Sequence, residues 1–382
     1  MSSNLTLLPR ITRLSTRNKF PELGVVHNPC SASLLSSSLR QKLNSRGPVK
    51  MIFTPVRNAK GKDEFSENSA TDGCIFIIRG RLRLTLEDDS EHELSSSLNR
   101  DLKAVCKFCY IDIGEKERSQ SWDQLQREIG FYTNELSKLQ GECVPYFYGQ
   151  FYGTVADNSQ AVNCMLLEDA GKEVTYERFA DSAGIEENFI DEVSIKIAKI
   201  HKAGICLPSN NFVYLTVLER NDSPDSQSSA SKFTLVGFSK AHKEQCRHEG
   251  EPNKQGLQIG RWEPDYQAFG CKELFHCLKE IQAWIPNSRS FCGITINSRF
   301  FISVNALGKF VKRKCPGKCS ENDVTLAVIE FTKKYGSRLS QCGWYDVNGT
   351  TITEQSVCEY IDSMPEDTIE ETEEDASSVS EE

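Results

Sequence analysis

The 382-residue sequence predicts an α+β fold, β-rich over about residues 70–165 and mainly helical from 166 to about 290. Three observations predict it. Residues 81–86 alternate Arg81, Arg83 and Thr85 with Leu82, Leu84 and Leu86, the period of a half-exposed strand. Apolar residues then recur at helical spacing through Trp122, Leu125, Ile129, Tyr132, Leu136 and Leu139, a single stripe on a helix that Gly141 stops. A second stripe, Ile190, Val193, Ile197 and Ile200, ends at Gly204 and leads into two short apolar segments, FVYLTV and KFTLVGF, separated by a Ser- and Asp-rich gap.

Composition bounds the function. With 38% hydrophobic and 26% charged residues the chain can bury a full core. A net charge of −9 argues against a general nucleic-acid or membrane-surface binder, which needs a concentrated basic field. No apolar run approaches the ~20 residues of a bilayer span. These features point to a cytoplasmic protein. Residues 1–50 hold many Arg, Lys and Ser against one acid, Glu22, so a mitochondrial transit peptide is the alternative to a disordered basic arm. Residues 365–382 are acidic and Ser-rich and read as a solvated, disordered tail.

The chain holds fifteen cysteines, scattered through apolar contexts, which reads as buried free thiols rather than a disulfide framework. Cys106 and Cys109 have redox-motif spacing but lie in a strand-like run, where alternate residues face opposite ways. Cys315 and Cys319 flank Pro316 and Gly317 and read as a turn. His242, Cys246 and His248 are close in sequence but read as unrelated, so no metal site is expected.

Taken in order, residues 51–57 suggest an early strand and 60–72 a polar turn region. Cys74–Glu87 reads as strand, with Gly80 marking a hairpin turn or a bulge. Leu102–Ile111 is a strand with Lys107 in its middle. A lysine between Cys106 and Phe108 is costly to bury alone and needs an acid or solvent. Glu128 sits on the flank of the Trp122–Leu139 stripe, where it could reach a strand lysine or face solvent. Ala161–Leu167 is a further strand, and His201 at the end of the second helix reads as a packed structural histidine. Beyond these, Phe269–Trp284 reads as one helix ended by Pro286, residues 289–313 as short strands (FCGITI, RFFISVNA, KFVKR) and Val324–Tyr335 as a helix. Residues 291–360 form a C-terminal extension.

From about Leu102 to Pro286 these pieces resemble a protein-kinase-like family found in fungi, related to protein kinases and small-molecule phosphotransferases. The matching residues are Lys107 in its strand, then Arg127, Glu128, Tyr132 and Leu136, then Leu139-Gln140-Gly141, Val144-Pro145 and Tyr148-Gly149. They continue with Leu166-Leu167-Glu168-Asp169-Ala170-Gly171, His201-Lys202-Ala203-Gly204-Ile205, Leu235-Val236-Gly237-Phe238 and Phe269-Gly270-Cys271. The resemblance implies a two-lobed fold with an N-lobe over 70–165 and a C-lobe over 166–290. It implies that Lys107 and Glu128 form the ion pair that orients nucleotide phosphates, and that main-chain groups at Glu168 and Ala170 meet the adenine.

The family's acids are missing. Aligned without gaps, the catalytic Asp falls at Ser209 and the metal-binding Asn at Tyr214; with three residues deleted, Asn211 stands for that Asn and is a residual metal ligand. The second metal-binding Asp is replaced by Gly237, and Asp222 and Asp225 lie in the hairpin gap. The resemblance therefore implies a pseudokinase that holds ATP weakly, with Mg²⁺ doubtful, and works as a scaffold for a protein partner. The alternatives are an active atypical protein kinase or small-molecule phosphotransferase, and a nucleotide-free structural interaction protein.

Overall fold

A computed structural model describes residues 24–25, 49–55, 65–67, 75–86, 102–110, 115–154, 161–174, 187–207, 216–220, 232–344 and 350–365. Helix and strand are mixed, with small antiparallel sheets. The chain divides into two compact units, one of residues 1–174 and 199–246, the other of 175–198 and 247–382. This division cuts across the expected boundaries, because residues 199–246 group with the strand-rich part and 291–361 share a core with residues before 290.

The strand-rich unit is built on β1 (Gly24–Val25), β2 (Val49–Pro55), β3 (Phe65–Glu67), β4 (Ile75–Leu86), β5 (Leu102–Tyr110), β6 (Phe147–Thr154) and β7 (Ala161–Glu168). They form one antiparallel sheet in the order β1-β6-β7-β5-β4-β2, with β3 also on β4. β5 is central: Lys107 pairs with Ile77 of β4 on one side and Met165 of β7 on the other. Gly80 is not a turn. It continues β4 between Pro55 and Ala104, because both neighbouring strands supply ladder partners on either side of it.

Along β5 the residues Ala104, Cys106 and Phe108 are buried, whereas Lys103, Val105 and Lys107 on the opposite face keep some exposure. Cys106 and Cys109 point to opposite faces. A hydrogen bond with Cys164 and burial both raise the Cys106 thiol pKa well above its ordinary range, which makes it an inert core thiol.

Helix α1 (Glu115–Thr133) starts earlier and ends earlier than its apolar stripe suggested. The stripe continues into turns. Asn134 Nδ2 donates to the Gly130 carbonyl at 2.8 Å, and the Leu136 amide reaches back five residues to Phe131, so the ladder loosens there. The Gln140 amide then donates to Tyr132 O and accepts from Phe147 N, tying the segment after the helix to β6.

The unit continues through β8 (Lys172–Glu173), the end of α2 (Glu187–Lys202), β9 (Ile205–Cys206), β10 (Thr216–Glu219), β11 (Phe233–Val236), a 3-10 turn over Phe238–Lys240 and β12 (His242–Lys243). β10 pairs with both β8 and β11, and β12 pairs with β9. His201 is buried, as its place at the end of the α2 stripe suggested.

In the second unit, Phe269–Trp284 is two helices, α3 (Tyr266–Phe269) and α4 (Lys272–Glu280), rather than one. Gly270, at φ 83°, breaks them, and α4 ends before Pro286 because the chain turns at Gln282 to place Ile285 beside Trp262. FCGITI is not one strand: Cys292 and Gly293, at φ 54° and 78°, turn the chain between β13 (Ser288–Phe291) and β14 (Ile294–Asn297), and the residues after β14 are helical. They form a 3-10 turn over Ser298–Ile302 and α5 (Val304–Lys314), capped by Ser303 Oγ accepting from Ala306 N at 3.0 Å.

Ala306, Leu307, Phe310 and Val311 are all buried, a spacing that one helix face satisfies and strand alternation does not. They join Phe300, Phe301, Phe331 of α6 (Glu321–Cys342) and Ile361 of α7 (Glu354–Ser363) in one apolar cluster. Cys292 and Cys319 form a disulfide with a Cα–Cα distance of 6.3 Å, so the expectation of free thiols throughout is corrected at this pair. The hairpin turn and the α6 approach bring together two residues far apart in sequence. Among the described residues no helix is long and apolar enough to cross a membrane.

Candidate functional site

Ser121, Gln124 and Glu128 form a polar row beside Leu125, Ile129 and Tyr132 on the buried face of α1. Glu128 therefore lies inside the contact rather than on its flank. The Lys107 ammonium of β5 pairs with Glu128 Oε2, and the two side chains keep 11% and 2% of their exposure. The other carboxylate oxygen, Oε1, accepts from the Phe238 backbone N–H at 3.3 Å. Glu128 thus joins the central strand to the segment that follows β11.

Tyr132, one turn further along α1, packs edge-on to Phe238 and tilted to Phe147, both at 5.9 Å between ring centres. Burial first, and then the nearby Glu128 charge, raise its phenol well above the usual range. It remains neutral and serves as packing that holds α1 against the Gly237-Phe238 turn.

Gly237 has φ 98° and ψ 44°, a left-handed conformation that favours glycine. A glycine has no side-chain oxygen to offer a metal. Ser209, Asn211, Tyr214, Asp222 and Asp225 lie outside the described residues. Among the described residues the clusters with metal-ligand spacing are one set of a His and two Cys and one of a Cys, a His and a Glu, and neither includes Glu128.

The end of β7 is held by a clamp that was not legible in the sequence. The Glu168 carboxylate takes two parallel hydrogen bonds from the Arg220 guanidinium, each 3.1 Å, and accepts from Tyr146 N at 3.3 Å. Arg220 also donates to Thr234 Oγ1 at 3.3 Å, so the β10–β11 hairpin is fastened to β7. The Glu168 side chain is committed to this clamp. The Glu168 main-chain N–H is taken as well, donating to the Tyr146 carbonyl at 2.9 Å, and Ala170 is buried.

Gly171 follows at φ 120°, and a Cβ placed there would lie 2.0 Å from the Glu219 carbonyl oxygen. Only glycine lets β8 approach β10 this closely. Its own carbonyl accepts from Arg79 Nη2 at 2.8 Å. Arg79 stands opposite Val105 in the β4–β5 ladder, on the face that carries Lys107, and β5 lies between β4 and β7, so its side chain reaches past β5 to the segment that follows β7. Arg81, opposite Lys103, is on that same face. The alternation of Arg81, Arg83 and Thr85 with Leu82, Leu84 and Leu86 in sequence signalled the basic face, but gave no sign of the contact of Arg79 with Gly171.

No family model matches the chain, and no curated protein matches it. Among solved structures the chain is similar to vaccinia related kinase 3, at 12% identity over 82% of this chain and 84% of that one, with a TM-score of 0.29. It is also similar to WaaP in a complex with acyl carrier protein, at 14% identity over 51% of this chain and 73% of that one, with a TM-score of 0.23.

Proposed function

We propose that this protein is a kinase-like module that binds a nucleotide through its phosphates, is catalytically impaired, and acts by engaging a protein partner. The observation that carries the reading is the ion pair of Lys107 with Glu128, placed between the central strand and the Gly237 turn. An ammonium has three N–H donors, so the pairing with Glu128 aims Lys107 and still leaves donors for phosphate oxygens. Phosphoryl transfer needs metal ions that neutralise charge and an acid that positions the nucleophile. Gly237 supplies no metal ligand, and loss of a group that holds the charge-neutralising metal should remove several kcal/mol of transition-state stabilisation, roughly what one well-placed electrostatic group contributes.

Arg79, Arg81 and Lys103 share the sheet face of Lys107 and provide positive charge of their own. ATP binding should then persist when divalent metal is chelated. The test is a thermal-shift titration with ATP, with Mg²⁺, with Mn²⁺ and with chelator, on the wild type and on Lys107→Met combined with Glu128→Leu. Ligand bound only to the folded state raises its apparent stability by about 2.7 kcal/mol at a hundredfold excess over Kd. A wild-type shift that survives chelation and vanishes in the double variant is the expected result. No shift under any condition would leave the nucleotide-free scaffold, and turnover of ATP in Mg²⁺ would favour the phosphotransferase.

Arg79 gives a second expectation. Its guanidinium donates to the Gly171 carbonyl, one residue beyond Ala170, which puts a fixed cation next to the segment proposed to meet the base. Arg79→Ala should raise the affinity for adenosine, which has no phosphate, while lowering or leaving unchanged the affinity for inorganic triphosphate. Calorimetry with the two ligands checks it, and an adenosine affinity that falls in the variant would show that Arg79 helps to hold the base.

A further inference from the structure

In the strand-rich unit β9 and β12 pair so that His242 stands directly opposite Cys206. Glu244 follows two residues after His242 and its N–H donates to the Gly204 carbonyl at 3.1 Å, which continues the antiparallel register. Opposite residues, and residues two apart, share a face of a ladder. Cys206, His242 and Glu244 therefore converge: one ligand atom from each lies within 4.8 Å of the other two.

We propose that Cys206, His242 and Glu244 form a binding site for a borderline-soft divalent cation, with Zn²⁺ as the fitting class. Zinc bonds of about 2.0–2.3 Å in a tetrahedron place donor atoms roughly 3.3–3.8 Å apart. His242 Nε2 and Glu244 Oε2 are already 3.4 Å apart. Cys206 is fixed in the buried strand, while His242 and Glu244 are exposed, so these two side chains are free of packing that would prevent the small closure onto an ion.

The donor set decides the class. A thiolate with an imidazole selects Zn²⁺ over Mg²⁺ or Ca²⁺, which take oxygen ligands. Cys206 Sγ lies 3.3 Å from His201 Nε2 and 3.9 Å from the Glu244 carbonyl oxygen, so an ion bound at the thiolate would take the place of the thiol proton in these contacts. Three protein ligands leave a fourth position for water or for a group from a partner. The site belongs to the β9–β12 pair and stands independently of the nucleotide reading.

The test is titration of the full chain with Co²⁺, followed by displacement with Zn²⁺. One equivalent should produce a thiolate-to-cobalt charge-transfer band that Zn²⁺ abolishes. His242→Ala alters an exposed residue and should weaken binding at least about tenfold with the fold intact. Cys206→Ser should remove the charge-transfer band, and Cys246→Ser should retain it. The assignment is overturned if no stoichiometric binding occurs, if His242→Ala binds as tightly as the wild type, or if the band follows Cys246 instead of Cys206.

Discussion

Glu128→Ala is expected to destabilise the strand-rich unit by about 3–5 kcal/mol, because it leaves Lys107 largely buried without a counter-charge. The same change strips the Phe238 N–H of its acceptor, and an unsatisfied buried donor costs about 1–3 kcal/mol by itself. Lys107→Met combined with Glu128→Leu should recover the part of the loss due to the unpaired charge, since a buried pair replaced by apolar side chains is often close to neutral, and should retain the cost of the unsatisfied Phe238 N–H. Urea unfolding of the wild type, both single variants and the double variant gives the coupling directly from the midpoints at constant slope. If Glu128→Ala unfolds within ~0.5 kcal/mol of the wild type, as ordinary surface substitutions do, the pair is a solvated contact and not the centre of the site.

Gly171→Ala should be comparably damaging for a different reason. The new methyl would meet main-chain atoms of Glu219 and Arg220 at 2.0–2.9 Å, and these cannot rotate away as a side chain could. Separation of β8 from β10 is the remaining escape. Together with the left-handed backbone strain, the expected loss is about 3 kcal/mol or more. Because the Gly171 carbonyl holds Arg79, the substitution should also alter the response to nucleotide. Gly260→Ala is the control: Gly260 has φ 81° and nothing within 4 Å of a Cβ, so it tests backbone strain alone, about 1–2 kcal/mol. Equal midpoints for the two variants would mean that the close approach at Gly171 contributes nothing.

The strands and the main helices were legible wherever one periodicity dominated. α2 follows its sequence pattern because one face is buried and burial selects the residues on it, whereas β7 reads as a continuous apolar run because Asn163 to Leu167 are buried on both faces. The pattern failed where two readings share the same apolar content. Ser298–Lys314 reads as strands in short windows but buries Ala306, Leu307, Phe310 and Val311 together, a helical set. The helix expected to run to Gly141 stops at Thr133 although its apolar stripe continues, because buried Leu136 sits in a turn that keeps it against the same core. A hydrophobic pattern specifies which residues are covered more firmly than how the backbone carries them.

The sequence by itself determined the ingredients of the candidate site: a lysine in an apolar strand, a glutamate on the following helix, and a glycine after the second of two short strands. Tertiary structure decided their relations. It placed Glu128 between Lys107 and Phe238, tied Glu168 to Arg220, carried Arg79 over to Gly171, and set Cys206 opposite His242. Periodicity reports the face on which a residue lies because burial acts locally along each element. Partners such as Glu168 and Arg220 are chosen by the order and register of elements far apart in the chain, and no local pattern encodes them.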